Sequence, residues 1–591
     1  MNKTFLTPGY SNKQGYQGFP MDCLENFTST VGYLYPVYWD VLDPGDKVNL
    51  QSVLRTKTQP LAKPAMATIC ERIEWFAVPI DQIYRPFATK FYGINDVGTD
   101  LLSTSGYDKY LPFMTIDHVS SFMAMLPTSI GQQAGIPPGT LPTFGEVKRL
   151  LDCLGASSFI GMTVQSGNAY SGSLSALPFA AYQKIWYDHY RLSDRIPNDP
   201  EAYNLDSFEG TSGRSAQITL PGSVLNSRMA KLLQLRKRPY QRDYFTSMQV
   251  SPLMGSGDVN AAANSLTGIN QWLSGLVNFQ TAGPDRNSNA LAGSGAVAAN
   301  NVGPSTVILP NPTNQTASNA NYGQLNPVNI RSMFAVEKLL EVTRRAKKHY
   351  DMQTLAHFGV SVPKGLAGEC FKIGTHEQYI KIGEVVSTAD TVDNSTSDGK
   401  PLGTLAGTGS SGGESKKFHF EAKCHCILMA LYSAEPVVNY RQEGNNRLLT
   451  RTSIDDFYKP EFDNLGMQPV FAGELRSFQF TPGIGVVPPP TNVIGWQPRY
   501  EEQKAKYNRS FGGMSKQAFV EWSLRRDPIN DGYISSNFFE VWPTDINGIM
   551  QVAWTGTENY LSVYSEDPFI NQVYFNVQKS SKKSLYGMPN L

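Results

Sequence analysis

Charge is scarce in this chain. Only 17% of its 591 residues are Asp, Glu, Lys or Arg, and 51 basic residues balance 51 acidic ones. A protein that coats nucleic acid over most of its surface is basic, so any such contact here has to be a local patch. Zero net charge also removes a long-range barrier to self-association. Cysteine is scarcer still. Cys23, Cys70, Cys153, Cys370, Cys424 and Cys426 are too few and too scattered for a disulfide framework, which points to a reducing compartment. The opening "MNKTFLTPGY" lacks the apolar core of a secretory leader, and no run approaches the ~18 apolar residues of a membrane span. A soluble chain without stable membrane insertion is expected.

Catalytic signatures are missing as well. There is no H-E-x-x-H and no phosphate-cradling G-x-x-x-x-G-K-[ST], and seven histidines do not assemble a Ser/His/Asp group from sequence alone. Asp455 and Asp456 in "TSIDDFYKPEF" suit turn and surface roles better than acid–base chemistry. His419 with Cys424 and Cys426 offers zinc-type ligands, but the cysteines are one residue apart on an apparent strand and no second Cys/His pair stands at a finger spacing. Both thiols are expected to face the core with Phe418 and Phe420, as small hydrophobes. No catalytic, cofactor-binding or metal-ligating residues are predicted, and no enzyme.

What is present is turn formers and rings. Gly (51) and Pro (38) make about 15% of the chain against a typical ~12%, and aromatics reach 11%. With few long helical patterns, this describes a loop-rich β protein. "PVYWDVLDPGDKVNLQ" shows how it is built. Asp43, Pro44, Gly45 and Asp46 form a structural turn, and Val48, Leu50 and Leu54 then alternate with polar residues at a half-buried strand's period. "ATICERIEWFAVPI" reads as a second strand. "KFHFEAKCHCILMALYSAEPVVNY" alternates first and then turns apolar on both faces, as one strand entering a core.

Three helices stand out. "TFGEVKRLLDCLG" starts at a Thr143 cap and ends at Gly155, and Leu177 to Leu192 spaces Phe179, Tyr182, Ile185, Trp186 and Tyr190 for burial. The third is capped by Asn329 and runs through Met333, Val336 and Leu340 into the basic "RRAKKHY". Between Asn287 and Ile330 there is no charge at all. Residues 1–35 read as an N-terminal arm that orders only against a neighbour or another part of the fold. Residues 36–591 read as one domain with insertions at about 93–235 and 255–325 and an extended C-terminal segment at about 480–591.

Three basic segments are candidate contacts for phosphate: Arg236, Lys237, Arg238 and Arg242; Arg344, Arg345, Lys347 and Lys348; and "QKSSKK" near the end. Tyr240, Tyr244 and Phe245 lie beside the first, in position to stack on unpaired bases. A solvated face is the plainer reading of each.

The order of "YPVYWDVLDPGDKVNL", "EWFAVPIDQIYRPF", "LPFAAYQKIWYDHYR", "RDYFTSMQVSP", "VNIRSMFAVEKLLEVTRRAKKHYDMQTLAHFGV" and "CHCILMALYSAEPVVNYRQEG" with "DDFYKPEFDNLGMQPV" resembles the major capsid proteins of Microviridae, particularly the gokushovirus-like branch, over residues 30–250 and 325–480. The resemblance implies an eight-stranded antiparallel jelly roll with long loop insertions and a few α-helices. It implies a T=1 icosahedral shell built by the chain with itself around a circular single-stranded DNA genome, assembled in the bacterial cytoplasm. Internal scaffolding and DNA-pilot or minor proteins, and a host cell-surface receptor, are the implied partners. The 255–325 insertion is then expected as a surface protrusion near the threefold axes. A monomeric β-sandwich binding carbohydrate, or a glycoside-processing enzyme, is the reading from another class.

Overall fold

A computed structural model of the chain describes residues 15–61, 63–92, 110–127, 141–156, 172–208, 215–223, 227–252, 327–346, 349–386, 405–441, 444–463, 466–475, 479–481, 485–487, 492–515, 522–526, 538–546, 549–550 and 567–583, with single residues at 388, 403 and 519. The 255–325 insertion lies outside them.

Ten strands make the main sheet: β1 (Gln17–Pro20), β2 (Cys23–Ser29), β3 (Tyr35–Leu42), β4 (Lys47–Thr58), β5 (Ile69–Pro79), β6 (Phe371–Val386), β7 (Leu405–Glu414), β8 (Phe418–Glu421), β9 (Cys426–Pro436) and β10 (Phe569–Ser581). Every pairing among them is antiparallel. β1 and β2 share one flank of β10, and β7 and β8 share one flank of β4, so the ten strands occupy eight lateral positions. The order is β1/β2–β10–β4–β7/β8–β6–β5–β9–β3. The sheet curls on itself: Trp75 of β5 meets Phe575 of β10 edge-on at 5.4 Å, and Phe27 of β2 meets Tyr432 of β9 at 5.1 Å, although neither pair is on neighbouring strands. Apolar side chains between the two resulting layers form the core. This is the β-dominated sandwich expected of a jelly roll.

Two boundaries differ from the sequence reading. "KFHF…VNY" is not one strand: β8 and β9 lie in different layers, joined by Ala422–His425, whose Ala422 exchanges backbone hydrogen bonds with Gly45 and Asp46. The chain changes layer where its pattern changes from alternating to apolar. The C-terminal region also does more than extend. β10 lies inside the sheet, and β1 and β2, within the arm, pair with it as the edge.

Two helices pack on the layer of β3, β5 and β9, and two more pair with each other. α1 (Phe144–Cys153) opens with a capping box in which the Thr143 hydroxyl accepts from the Glu146 N–H at 3.2 Å and the Glu146 carboxylate accepts from the Thr143 N–H at 2.9 Å. α2 (Leu177–Ile185) continues as a π-turn over Trp186–Tyr190, and every residue of α2 is buried. The third helix, α3 (Pro327–Arg345), opens at Pro327, two residues before the expected Asn329 cap. Proline suits a first turn, where its missing N–H would be unpaired anyway. α4 (Tyr350–Phe358) follows.

Candidate interaction surfaces

The turn between β3 and β4 is a junction for three parts of the chain. Gly45 has φ +95°, and its N–H donates to the Ala422 carbonyl at 2.7 Å. Asp46 is buried, and its carboxylate accepts from the Asp43 N–H at 3.1 Å. Lys579 of β10 reaches Asp40 at 2.9 Å and Asp46 at 3.5 Å, and Lys583 reaches Asp43 at 2.8 Å. Much of the charge of "QKSSKK" is therefore balanced by acids of this turn, and Pro44–Gly45 shapes the backbone that holds them.

The first basic segment points inward. Arg238 pairs with Glu74 at 2.7 Å and with Glu435 at 3.3 Å, and Arg72 joins Glu435 at 2.5 Å and Glu377 at 2.8 Å. Lys372 and the Tyr190 hydroxyl complete the set on Glu74, each at 2.5 Å. Burial alone would raise the Glu74 carboxyl, but Arg238, Lys372 and these hydrogen bonds outweigh it and lower it to about 2. Lys237 pairs with Glu146 at 3.3 Å and lies 4.1 Å over the Trp542 ring, while Arg236 donates to Gln183 at 2.6 Å and lies 4.5 Å over Trp186. A phosphate would have to displace these partners. Tyr240, Tyr244 and Phe245 are buried, which corrects the expectation that they are available to stack on a base. Their rings serve the interior: Tyr240 donates to Asp545 and Tyr244 to Glu474. Arg242 is exposed.

In the second segment Arg344 is buried and donates from Nε to the Ser251 carbonyl at 3.1 Å. The Arg345 side chain and residues Lys347 and Lys348 lie outside the described residues.

Cys424 and Cys426 stand 3.6 Å apart, sulfur to sulfur, with Cys426 buried and Cys424 half-buried. His419 is on the outer side of β8, bound through Nδ1 to the Asn49 carboxamide at 2.9 Å, away from both. Among the described residues no group of three His, Cys, Asp or Glu side chains converges as a metal site. Gly409 to Gly413 match the spacing G-x-S-x-G, but these residues lie within β7, where the Ser411 hydroxyl donates to Glu71 at 2.6 Å, rather than on a strand-to-helix elbow.

Sequence reasoning passed over the outward apolar side chains of α3, α4 and the loop beyond. Val336 (41%), Leu339 (54%), Phe358 (79%) and Leu366 (81%) are exposed. The helical stripe was visible; which way it faced was not.

The model of the phage capsid protein (F protein) family matches residues 158–591. The chain belongs to that family. It is similar to the capsid protein VP1 of Chlamydia phage 1, 22% identical across 95% of this chain and 94% of that one, and to the capsid protein VP1 of Bdellovibrio phage phiMH2K, 23% identical across 85% of each. It is a structural, non-enzymatic major capsid protein of the Microviridae type and a component of the virion. That assignment replaces the carbohydrate-binding and glycoside-processing readings. It also gives the inward basic segment a sense: a shell subunit needs a stiff interior, and paired charges across β5, β9 and β6 supply one.

Proposed function

We propose that copies of this chain close into a T=1 icosahedral shell of about 60 subunits around a circular single-stranded DNA genome. The observation that carries the self-contact is the apolar surface of α3 and α4. A monomer that stays in water has no use for Val336 and Leu339 of α3 and Phe358 at the end of α4 turned outward. Such side chains become the dry centre of contacts between subunits, and a closed shell repeats each contact around its axes. Antiparallel layers support the same reading, because a stiff sandwich lets long loops reach neighbours without loosening the core.

In this reading assembly takes place in the host cytoplasm with an internal scaffolding protein and a DNA-pilot or minor protein, and an external surface meets a host receptor. The resemblance to Microviridae capsids supports those partners. The full chain, expressed alone and followed by sedimentation velocity and negative-stain microscopy, is expected to give pentamers or closed particles. A monomer at every concentration overturns the proposal. Leu339→Asp with Phe358→Asp should shift the distribution towards monomer while the unfolding midpoint stays within a few degrees.

A further inference from the structure

The outer face of the β10–β4–β7–β6 region is open, and its chemistry differs from that of α3 and α4. Lys57 of β4 stands directly across from Ser410 of β7, and Ser410 directly across from Lys381 of β6, so all three point the same way. One step along, Arg55 faces Gly412. Tyr379, two residues before Lys381, is half exposed. Arg55, Lys57 and Lys381 are exposed, and among the described residues none has an acidic partner within ion-pair distance. The acids of this face are already engaged: Glu414 accepts from Gln51, Glu421 lies 3.9 Å from Lys47, and Glu377 holds Arg72 and the Tyr379 hydroxyl.

β7 makes the floor. On its inner side small residues are required, since a Cβ on Gly409 would lie 2.6 Å from Thr58. On the outer side they are not: a Cβ on Gly412 would meet nothing within 4 Å. The result is a shallow trough, one strand wide, with cations on both banks and flanking backbones about 10 Å apart.

We propose that this trough docks single-stranded nucleic acid, with phosphates along Arg55, Lys57 and Lys381 and a base stacked on Tyr379. The inference rests on the capsid reading and identifies the face that meets the genome. A sister subunit fits less well, because lysine is depleted from protein interfaces and three cations flanking Ser410 and Gly412, with Glu414 alone at the strand's end, suit a polyanion. Stacking on the tyrosine requires bases free of a duplex.

The test uses the full-length subunit and a fluorescein-labelled oligothymidylate of about 20 nucleotides, with anisotropy read across a sodium chloride series. Each phosphate contact to a single strand contributes about 0.7 to the salt slope, so R55Q/K57Q/K381Q should flatten it by about 2 and weaken binding roughly 100-fold at 0.1 M salt. Lys381→Gln alone should cost about fivefold, and Arg242→Gln nothing. Among the described residues the side chains have no acidic partner to lose, so the unfolding midpoint should hold, and the single variants stand in if the triple does not fold. An unchanged slope overturns the proposal. So does a triple variant that loses assembly but binds the oligonucleotide as before, which would make the face a subunit contact. Triple-variant particles of normal form with reduced nucleic acid support it. A wild-type chain that binds as expected but never assembles would instead strike the shell reading and leave the trough standing.

Discussion

β5 and β4 are neighbours in the chain and opposites in the fold. All eleven residues of β5 are buried, and so are all eleven of its partner β9, because α2 packs across one face and the second layer across the other. β4 buries every second residue and leaves the rest on an open face. Where both faces are covered, a charge can enter only with partners, and Arg72, Glu74 and Glu435 come with Arg238, Lys372 and Glu377. Where one face is open, Arg55 and Lys57 have no acidic partner among the described residues. The same residue types hold the subunit together in one layer and are available to a partner in the other.

Substitutions can break that contrast. Arg238→Glu would place a third carboxylate against Glu74 and Glu435 and should cost about 3–5 kcal/mol in denaturant unfolding, mostly as unpaired buried charge. A normally stable subunit with reduced nucleic acid would instead make Arg238 a surface cation. Trp75→Ala removes a ring with no exposure between Tyr38 and Phe575, and about 3–5 kcal/mol is again expected. Acid sharpens the comparison by a different route. The Glu74 carboxyl titrates from 4.5 when unfolded down to about 2 in the fold, so below pH 4.5 the unfolded chain binds the extra proton. Its stabilisation is complete above that pH and drains away as pH falls towards 2. The unfolding midpoint should drop more steeply over this window in the wild type than in Glu74→Gln, and parallel curves would reject the assignment.

Smaller effects belong to the turn and the open face. Gly45→Val forces a β-branched residue to φ +95° and should cost about 1–3 kcal/mol, with fewer particles formed. Normal yield and stability would show that the turn relaxes. Tyr574→Ala, on the exposed side of β10, should stay within about 0.5 kcal/mol, and a loss like that of Trp75→Ala would mean the face is covered.

How much of this could be read from residues followed the range of the forces involved. The cap at Thr143, the alternation of β4 and the double apolarity of β9 are local, and the sequence pattern already showed them. β10 alternates as cleanly as β4, yet its lysines read as a basic tail, because the acids that bury Lys579 lie on β3 and in the following turn. "RKR" is ambiguous for the same reason: a charge run looks alike whether water or distant carboxylates receive it. The trough was hidden differently. Its cations sit on β4 and β6, hundreds of residues apart, and only strand register lines them up.

The position of β10 also sets a clock for synthesis. It lies between β2 and β4, and a hydrogen bond from Thr28 to Asp567 joins positions 539 residues apart. While the ribosome is still making the chain, that layer has a gap, and the facing edges of β2 and β4 wait unpaired. Long-range pairing of this kind is slow to form and exposes sticky strand edges in the meantime. A subunit cannot present a finished outer face to its siblings until Phe569–Ser581 has been made, so premature polymerisation of nascent chains is disfavoured by the order in which the strands are made.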